Sequence, residues 1–301
     1  MARSRVDIKI GFACNNLCRF CVQGDKRTRV RAPSTRVVER ELEKARDGAD
    51  GVVFTGGEPT LRRDLLDLVA HARELGYGTV QIQSNGRTFA SRRFCRDLVS
   101  AGATEFSPAL HGHVPELHDW LTRAPGSFSQ TVRGIMNLED LGQYVLTNTV
   151  VVRANVRSLQ DLARLLVRLG VQQFQFAFVH PVGTAGEDFT RMVPRMAITS
   201  PHLKAGLQVG IDAGRPVWTE AVPYCILPGH ERCVVESTIP RTRVVDGGVT
   251  VEDYRDYRLN EGKLKGPDCP RCRWFDECEG PWREYPERYG WDEFVPVPED
   301  G

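Results

Sequence analysis

The sequence predicts an α/β protein built on a parallel sheet and followed by a small, irregular, cysteine-rich α+β module. Three observations predict it. From residue 6 to about 180, β-branched or aromatic runs alternate six times with stretches of helical period, the pattern of a parallel sheet with crossover helices. Reactive or hydrogen-bonding residues follow strand after strand, where ligands gather in parallel α/β folds. Six of the nine cysteines fall into two tight groups, Cys14/Cys18/Cys21 and Cys269/Cys272/Cys278, near opposite ends of the chain.

The expected strands are 6–12, 51–56 (GVVFTG), 79–84 (TVQIQS), 104–110 (TEFSPAL), 144–152 (YVLTNTVVV) and 171–179 (VQQFQFAFV). Between them, TLRRDLLDLVAHARELG places Leu61, Leu65, Leu68, Ala72 and Leu75 on one helical face, and SLQDLARLLVRLG does the same with Leu159, Leu162, Leu166 and Leu169. Another helix is expected to start near Ser34, and Cys95 sits in a helical stretch as an inert packed thiol. Residues at the strand ends are the cysteines of the first group, Glu58, Ser84 and Asn85, His111, Arg153 and Asn155, and His180. Periodicity alone leaves a doubly wound sheet and a barrel-like one both open. After about residue 195 the pattern breaks, which divides the chain into a core at 1–195 and a second module at 196–301. That module holds an expected hairpin, RVVDGGVTVE, turning at Asp246-Gly247-Gly248, and ends in VPVPEDG, which reads as a frayed tail.

With 41% apolar and 26% charged residues over 301 positions, the composition is that of a globular protein. The first strand starts almost at once, and no run of about 18 apolar residues appears, so a cytoplasmic location without membrane contact is expected. Nine cysteines in a reducing compartment point to metal or redox chemistry rather than a disulfide framework. A net charge of +1 lacks the field of a nucleic-acid binder, so nucleic acid is not the expected partner. One basic run, Lys26, Arg27, Arg29, Arg31 and Arg36, reads either as a solvated loop or as a patch for an anionic substrate or partner.

Cys14, Cys18 and Cys21 have the spacing C-x3-C-x2-C on the loop leaving the first strand. A structural zinc site normally takes four ligands, and a thioredoxin-like pair leaves Cys14 unexplained. A 4Fe-4S cluster is held by thiolates and accepts three protein ligands with one iron open.

The stretch CNNLCRFC, with Phe20 before the third cysteine, resembles the cluster loop of the radical S-adenosylmethionine (radical SAM) superfamily, and Gly56-Gly57-Glu58-Pro59 resembles that superfamily's second motif. The resemblance implies a partial (β/α)6 barrel across residues 1–195. It implies that SAM chelates the open iron through its amino and carboxylate groups. Electron transfer from the reduced cluster would then release methionine and a 5'-deoxyadenosyl radical that takes hydrogen from the substrate. It also implies a reducing partner such as flavodoxin or ferredoxin. By position, the backbone of Gly56, Gly57 and Glu58 would meet the SAM amino group, and Ser84 and Asn85 its ribose or carboxylate. Asn155 occupies a looser strand-end position, with a local loop hydrogen bond as the other reading, which applies to His111 as well. His111, Arg153 and His180 are candidates for catalytic side chains by position only.

Cys269, Cys272 and Cys278 form C-x2-C-x5-C, and a closed site requires a fourth ligand from Cys225 in PYCILPG or Cys233 in ERCVVE; the prolines flanking Cys225 favour it. This block resembles the auxiliary-cluster domains called SPASM, with two clusters, or Twitch, with one. Trp282 stands near where SPASM expects a further cysteine, so a single auxiliary 4Fe-4S cluster is expected, with a four-thiolate zinc site as the alternative. The aromatics Trp274, Trp282, Tyr285, Tyr289 and Trp291 read either as the core of this module or as a wall over the barrel mouth. The expected activity is an oxidation of a small molecule, the auxiliary cluster accepting the substrate's electron. A start directly at the barrel favours a small molecule over the alternative, a ribosomally made peptide or a protein residue. The non-enzymatic alternative is a zinc-binding scaffold.

Overall fold

A computed structural model describes residues 4–299. The chain builds a nine-stranded sheet in the order β7-β6-β5-β4-β3-β2-β1-β8-β9. In chain order these are β1 (Ser4–Lys9), β2 (Gly51–Thr55), β3 (Thr79–Ser84), β4 (Glu105–Pro108), β5 (Tyr144–Val151), β6 (Gln173–Phe178), β7 (Val217–Glu220), β8 (Arg241–Asp246) and β9 (Val249–Val251). Every neighbouring pair is parallel except β8–β9. The six expected strands are β1 to β6, in spatial order, with crossover helices between them.

These crossovers include α1 (Thr35–Arg46), α2 (Leu65–Glu74), α3 (Arg92–Ala101), α4 (Pro115–Thr122), α5 (Ser127–Glu139) and α6 (Leu159–Arg168), and α7 (Met196–Asp212) follows β6. Val38, Leu42 and Ala45 of α1 and Leu65, Leu68, Val69 and Ala72 of α2 are buried on the faces that periodicity assigns to the core. The second helix is shorter than expected, because Pro59–Leu61 form a separate 3-10 turn and Leu61 lies exposed. Arg62 explains the break. Its guanidinium donates to the carbonyls of Ile10 at 2.6 Å and Pro33 at 2.8 Å while pairing with Asp64 at the start of α2.

Along β1, Val6 and Ile8 are buried among the helices, and Asp7 and Lys9 lie on the other face of the strand. That second face is polar around the sheet. Gln81 donates to Glu105 at 2.9 Å, Gln175 to Glu220 at 2.7 Å, and Lys9 meets Asp246 at 2.5 Å.

Residues expected in the second module extend this sheet. The Asp246-Gly247-Gly248 turn is present, both glycines have positive φ, and β8 pairs with β9 as a hairpin, yet β8 also lies parallel to β1 with Ile8 opposite Val245. At the opposite edge, β7 pairs with β6. A buried ionic network secures the rest. Arg258 grips Glu279 with two hydrogen bonds of 2.7 and 2.9 Å, and Lys263 reaches Glu236 at 2.8 Å and Glu279 at 3.0 Å. Glu236 in turn accepts the Ala221 N–H, just past β7, at 2.6 Å. Tyr285 and Trp282 are buried, and Tyr285 packs edge-on to Phe178 at the end of β6. The tail expected to fray is docked at Val297, whose carbonyl accepts from the Arg273 N–H at 2.8 Å, while its last two positions, 300 and 301, lie outside the described residues. Among the described residues, no helix is long and apolar enough to cross a membrane.

Glu279→Ala would strand Arg258, whose side chain is 1% exposed, and leave the fully buried Lys263 with Glu236 alone. The expected loss is about 3–5 kcal/mol, read as a lower denaturant midpoint. Burial raises the Glu279 carboxyl, but the Arg258 hydrogen bonds and the charges of Lys263 and Arg258 outweigh it and hold the group below its ordinary value. A depressed carboxyl stabilises the fold above its unfolded pKa and loses that contribution as pH falls through the folded value. The parent should therefore lose stability on acidification, and the variant should lose less.

Candidate functional site

The first cysteine loop is clamped from three sides. After β1 the chain turns along the exit of β2, where the N–H groups of Gly57 and Glu58 donate to the carbonyls of Gly11 and Ala13, each at 2.8 Å. Gly56 adopts φ +133°, and a Cβ on Gly56 or Gly57 would collide with the carbonyls of Gly11 or of Phe12 and Ala13. The glycines of GGEP thus serve a close approach between two backbones. Farther along, Leu17 and Arg19 donate to Thr122 and Leu121 at the end of α4, at 2.8 and 2.9 Å. Thr184, beyond β6, donates its N–H to the Cys21 carbonyl at 3.1 Å. Phe20 is buried edge-on against His111, with ring centroids 4.8 Å apart.

Cys14, Cys18 and Cys21 lie within electrostatic reach of one another. Burial, then the neighbouring Cys21 and Cys14, push the Cys18 thiol up to about 12, and burial likewise raises Cys14. Bare thiolates at Cys14 and Cys18 are therefore unfavourable here, and binding iron would displace their protons. The Asn16 N–H points at the Cys14 sulfur from 3.4 Å, the kind of donor that thiolates of iron–sulfur clusters accept. Among the described residues, no three Cys, His, Asp or Glu draw together on a single ion. In a cubane each thiolate serves a different iron, so three separately held thiols fit that group.

Glu58 is a buried strut rather than an open ligand. Its Oε1 accepts from the Thr60 N–H at 3.1 Å, the Thr60 hydroxyl at 2.5 Å and the Ser84 hydroxyl at 2.8 Å, and its Oε2 from the Asn85 N–H at 2.7 Å. Burial raises its carboxyl above the ordinary value even against these donors. The Ser84 hydroxyl is thereby engaged with Glu58. The Asn85 amide instead faces the cysteine loop, donating to Asn15 Oδ1 at 2.6 Å with Cys14 Sγ at 3.9 Å.

Asn155 takes the local role. Its Oδ1 accepts from Val152 at 2.8 Å, and its Nδ2 donates to the carbonyls of His111 and Val150, both at 2.9 Å. His111 Nδ1 accepts the Val150 N–H at 3.2 Å, and its own N–H donates to His118 Nδ1 at 3.1 Å. Burial, then His118, lowers His111 to about 3, while burial takes His118 to about 4, so both rings are neutral near pH 7. Arg153 reaches Tyr289 Oη at 3.0 Å, bridging to the C-terminal helix α8 (Glu284–Tyr289). His180 stacks on Trp282 at 3.9 Å and 9°, with Glu284 Oε2 at 3.5 Å from its Nε2. Sequence reasoning missed Asn15, Thr184 and Glu284 here, since no spacing marks them as neighbours.

In the second group, Cys225 rather than Cys233 stands beside the three clustered cysteines. Cys225, Cys269, Cys272 and Cys278 line one pocket, walled by Tyr224 stacked on Trp274 at 4.8 Å. Burial, then Cys278, Cys272 and Cys269, push the Cys225 thiol up to about 12. Cys233 is instead buried in the apolar core beside the β7 bridge. Backbone N–H groups aim at three of the sulfurs: Gly266 at Cys269 (3.2 Å), Gly280 at Cys278 (3.4 Å) and Val297 at Cys272 (3.4 Å). Four thiols with N–H donors fit a cluster held entirely by protein. In the basic run, Lys26 pairs with Asp246 at 2.7 Å and Arg29 with Asp25 at 2.9 Å.

Gly57→Ala is expected to push the cysteine loop off the β2 exit. After anaerobic reconstitution the variant should hold about four irons fewer than the parent, with far-UV circular dichroism unchanged. Iron content equal to the parent's would show that the clamp does not hold the cluster loop.

The profile of the Radical SAM superfamily matches residues 8–166. The chain is 33% identical over 136 residues to the AdoMet-dependent heme synthase of Oleidesulfovibrio alaskensis, covering 45% of this chain and 34% of that one. It is 30% identical over 178 residues to the probable GTP 3',8-cyclase of Saccharolobus solfataricus, covering 58% and 57%. The chain thus spans from about a third to somewhat over half of these relatives' lengths. Its fold is similar to Streptococcus suis SuiB bound to S-adenosylmethionine, with TM-score 0.72 and 15% identity over 98% of this chain and 76% of SuiB. It is also similar to anSMEcpe with bound AdoMet, with TM-score 0.68 and 16% identity over 99% and 92%.

Proposed function

The chain belongs to the radical SAM superfamily, and from that premise we propose that it cleaves S-adenosylmethionine reductively and oxidises a small molecule, with an auxiliary 4Fe-4S cluster as electron acceptor. The observation that carries this reading is the unequal completion of two cysteine sites. Three thiols stand on the β1 exit loop, while four line the pocket of Cys225, Cys269, Cys272 and Cys278. A three-thiolate cluster leaves one iron for SAM, and a four-thiolate cluster is suited to passing electrons.

When bound, the first cluster and SAM supply the electron and the 5'-deoxyadenosyl radical that takes hydrogen from substrate, and the second cluster supplies the acceptor for the electron left behind. This chain's residues do the holding. Gly57 and Glu58 anchor the cysteine loop by their N–H groups, and Asn85 braces it through Asn15. SAM would lie along the ends of β2 and β3 against the backbone of Gly56, Gly57 and Glu58 and the Asn85 side chain. The polar inner face of the sheet, with Lys9, Gln81, Glu105 and Gln175, offers hydrogen bonds to a substrate. His111 is neutral and its Nδ1 engaged, which favours packing and donation over base catalysis. His180, on the Trp282 stack between barrel and C-terminal module, is the better candidate to meet substrate or move its proton.

The curated relatives are named for heme and for GTP, both small molecules, which supports that substrate class. Crystal structures of the fold neighbours include SuiB bound to precursor peptide SuiA and anSMEcpe bound to the Cp18Cys peptide. At 16% and 15% identity those likenesses support the fold, and peptide modification is the competing outcome of the test. A cytoplasmic location and a low-potential donor such as flavodoxin or ferredoxin belong to the same proposal.

Anaerobic reduction with SAM should yield 5'-deoxyadenosine, and Cys18→Ala should abolish it. Metal analysis should find roughly eight irons per chain; roughly four with zinc would place a zinc staple in the second pocket, and zinc alone would sink the enzyme reading. Deuterium carried into 5'-deoxyadenosine from a labelled small molecule supports the proposed class, and transfer only from peptides overturns it.

A further inference from the structure

We propose that the C-terminal segment 291–298 closes the four-cysteine pocket and that the Val297 backbone N–H tunes the cluster held there, an inference that rests on the auxiliary-cluster reading above. Val297 makes a two-point attachment. Its N–H donates to Cys272 Sγ at 3.4 Å, and its carbonyl accepts from the Arg273 N–H at 2.8 Å. Trp291, Phe294 and Pro296 line the same pocket as the four cysteines. Upstream, Glu293 anchors the segment to the barrel side. Its Oε1 accepts from the Ala197 N–H and the Arg195 guanidinium, both at 3.1 Å, and its Oε2 from the Tyr285 hydroxyl.

The donors around this pocket differ in origin. The N–H groups serving Cys269 and Cys278 come from Gly266 and Gly280, three and two residues away in sequence, so they accompany their cysteines wherever those go. The donor for Cys272 comes from 25 residues away and is present only if the tail docks. In PVP at 296–298, Val297 carries the only backbone N–H, and the prolines on either side limit the freedom the segment loses on docking. An N–H aimed at a thiolate sulfur draws off negative charge and so favours the reduced cluster, while the apolar cover keeps water from the irons. The tail is therefore both donor and lid.

The test uses the full-length holoenzyme with Val297→Pro, which deletes the N–H, Val297→Ala, which keeps it, and a chain ending at Phe294. Redox titration followed by electron paramagnetic resonance reads the cluster signal that SAM leaves unchanged. Val297→Pro is expected to lower the reduced-to-oxidised ratio at fixed potential by about three- to tenfold, tenfold being about 59 mV for one electron, with Val297→Ala at the parent value. The shortened chain is expected to release iron to a chelator several-fold faster than the parent. Loss of the second cluster's iron in Val297→Pro but not Val297→Ala would also support the role. An unchanged ratio and unchanged iron release, in a parent holding roughly eight irons, overturn this inference alone. A parent holding roughly four irons with zinc overturns the auxiliary-cluster reading and this inference with it.

Discussion

Two backbone hydrogen bonds, from Gly57 to Gly11 and from Glu58 to Ala13, place the first cysteine loop, and the rest of the site is arranged around them. Parallel pairing brings the ends of β1 and β2 side by side, but their exit loops can touch only where neither Cβ intervenes. Glycine at 56 and 57 meets that condition. Glu58 then carries the constraint to the next strand. Its buried carboxylate accepts from Thr60, Ser84 and Asn85, and leaving such a group without partners costs about 1–3 kcal/mol or more. The ends of β2 and β3 are therefore fixed to each other. Through Asn85 and Asn15 the same network reaches the loop between Cys14 and Cys18. A loop held at both ends and in the middle presents its thiols with little ordering entropy left to lose.

The C-terminal residues are held by a different kind of force. Arg258, Lys263, Glu279 and Glu236 form an ionic network away from water, and such a network contributes little net stability over an apolar core of equal volume. A displacement of either carboxylate would leave a buried cation short of a partner. Residues 258–282 are thereby placed against the end of β7, and Trp282 comes to lie on His180. The Trp282 ring thus joins these residues to the end of β6. Residues just upstream protect the sheet: β7 extends one edge and the β8–β9 hairpin the other, so neither β1 nor β6 is left as a bare edge.

The second pocket shows that composition misreads the placement of Pro296 and Val297. VPVPEDG has the prolines and acids of a solvated tail, and by itself it has no reason to stop anywhere. Glu293 and Phe294 give it one, since they hold the chain beside Cys272 just before the prolines begin.

Much of the protein was legible in its residues because the decisive signals are local. Alternation of period 2 with period 3.6 set β1 to β6 and their helices. C-x3-C-x2-C with GGEP marked the first site and its family, and flanking prolines favoured Cys225 over Cys233. What sequence could not show was partnership at long range. Ser84 and Asn155 sit at strand ends where ligands are expected, yet one braces Glu58 and the other a β5 turn. Strand β8 reads as half of an independent hairpin, yet its free edge pairs with β1. In each case the residue type permits both roles. Which role it takes depends on the donor or acceptor that folding brings within about 3 Å, and local periodicity carries no record of that. Residue types and their spacing set the chemistry available and the strands that display it, while long-range contacts fix which polar groups, such as Ser84 and Asn155, are engaged in holding the strand ends.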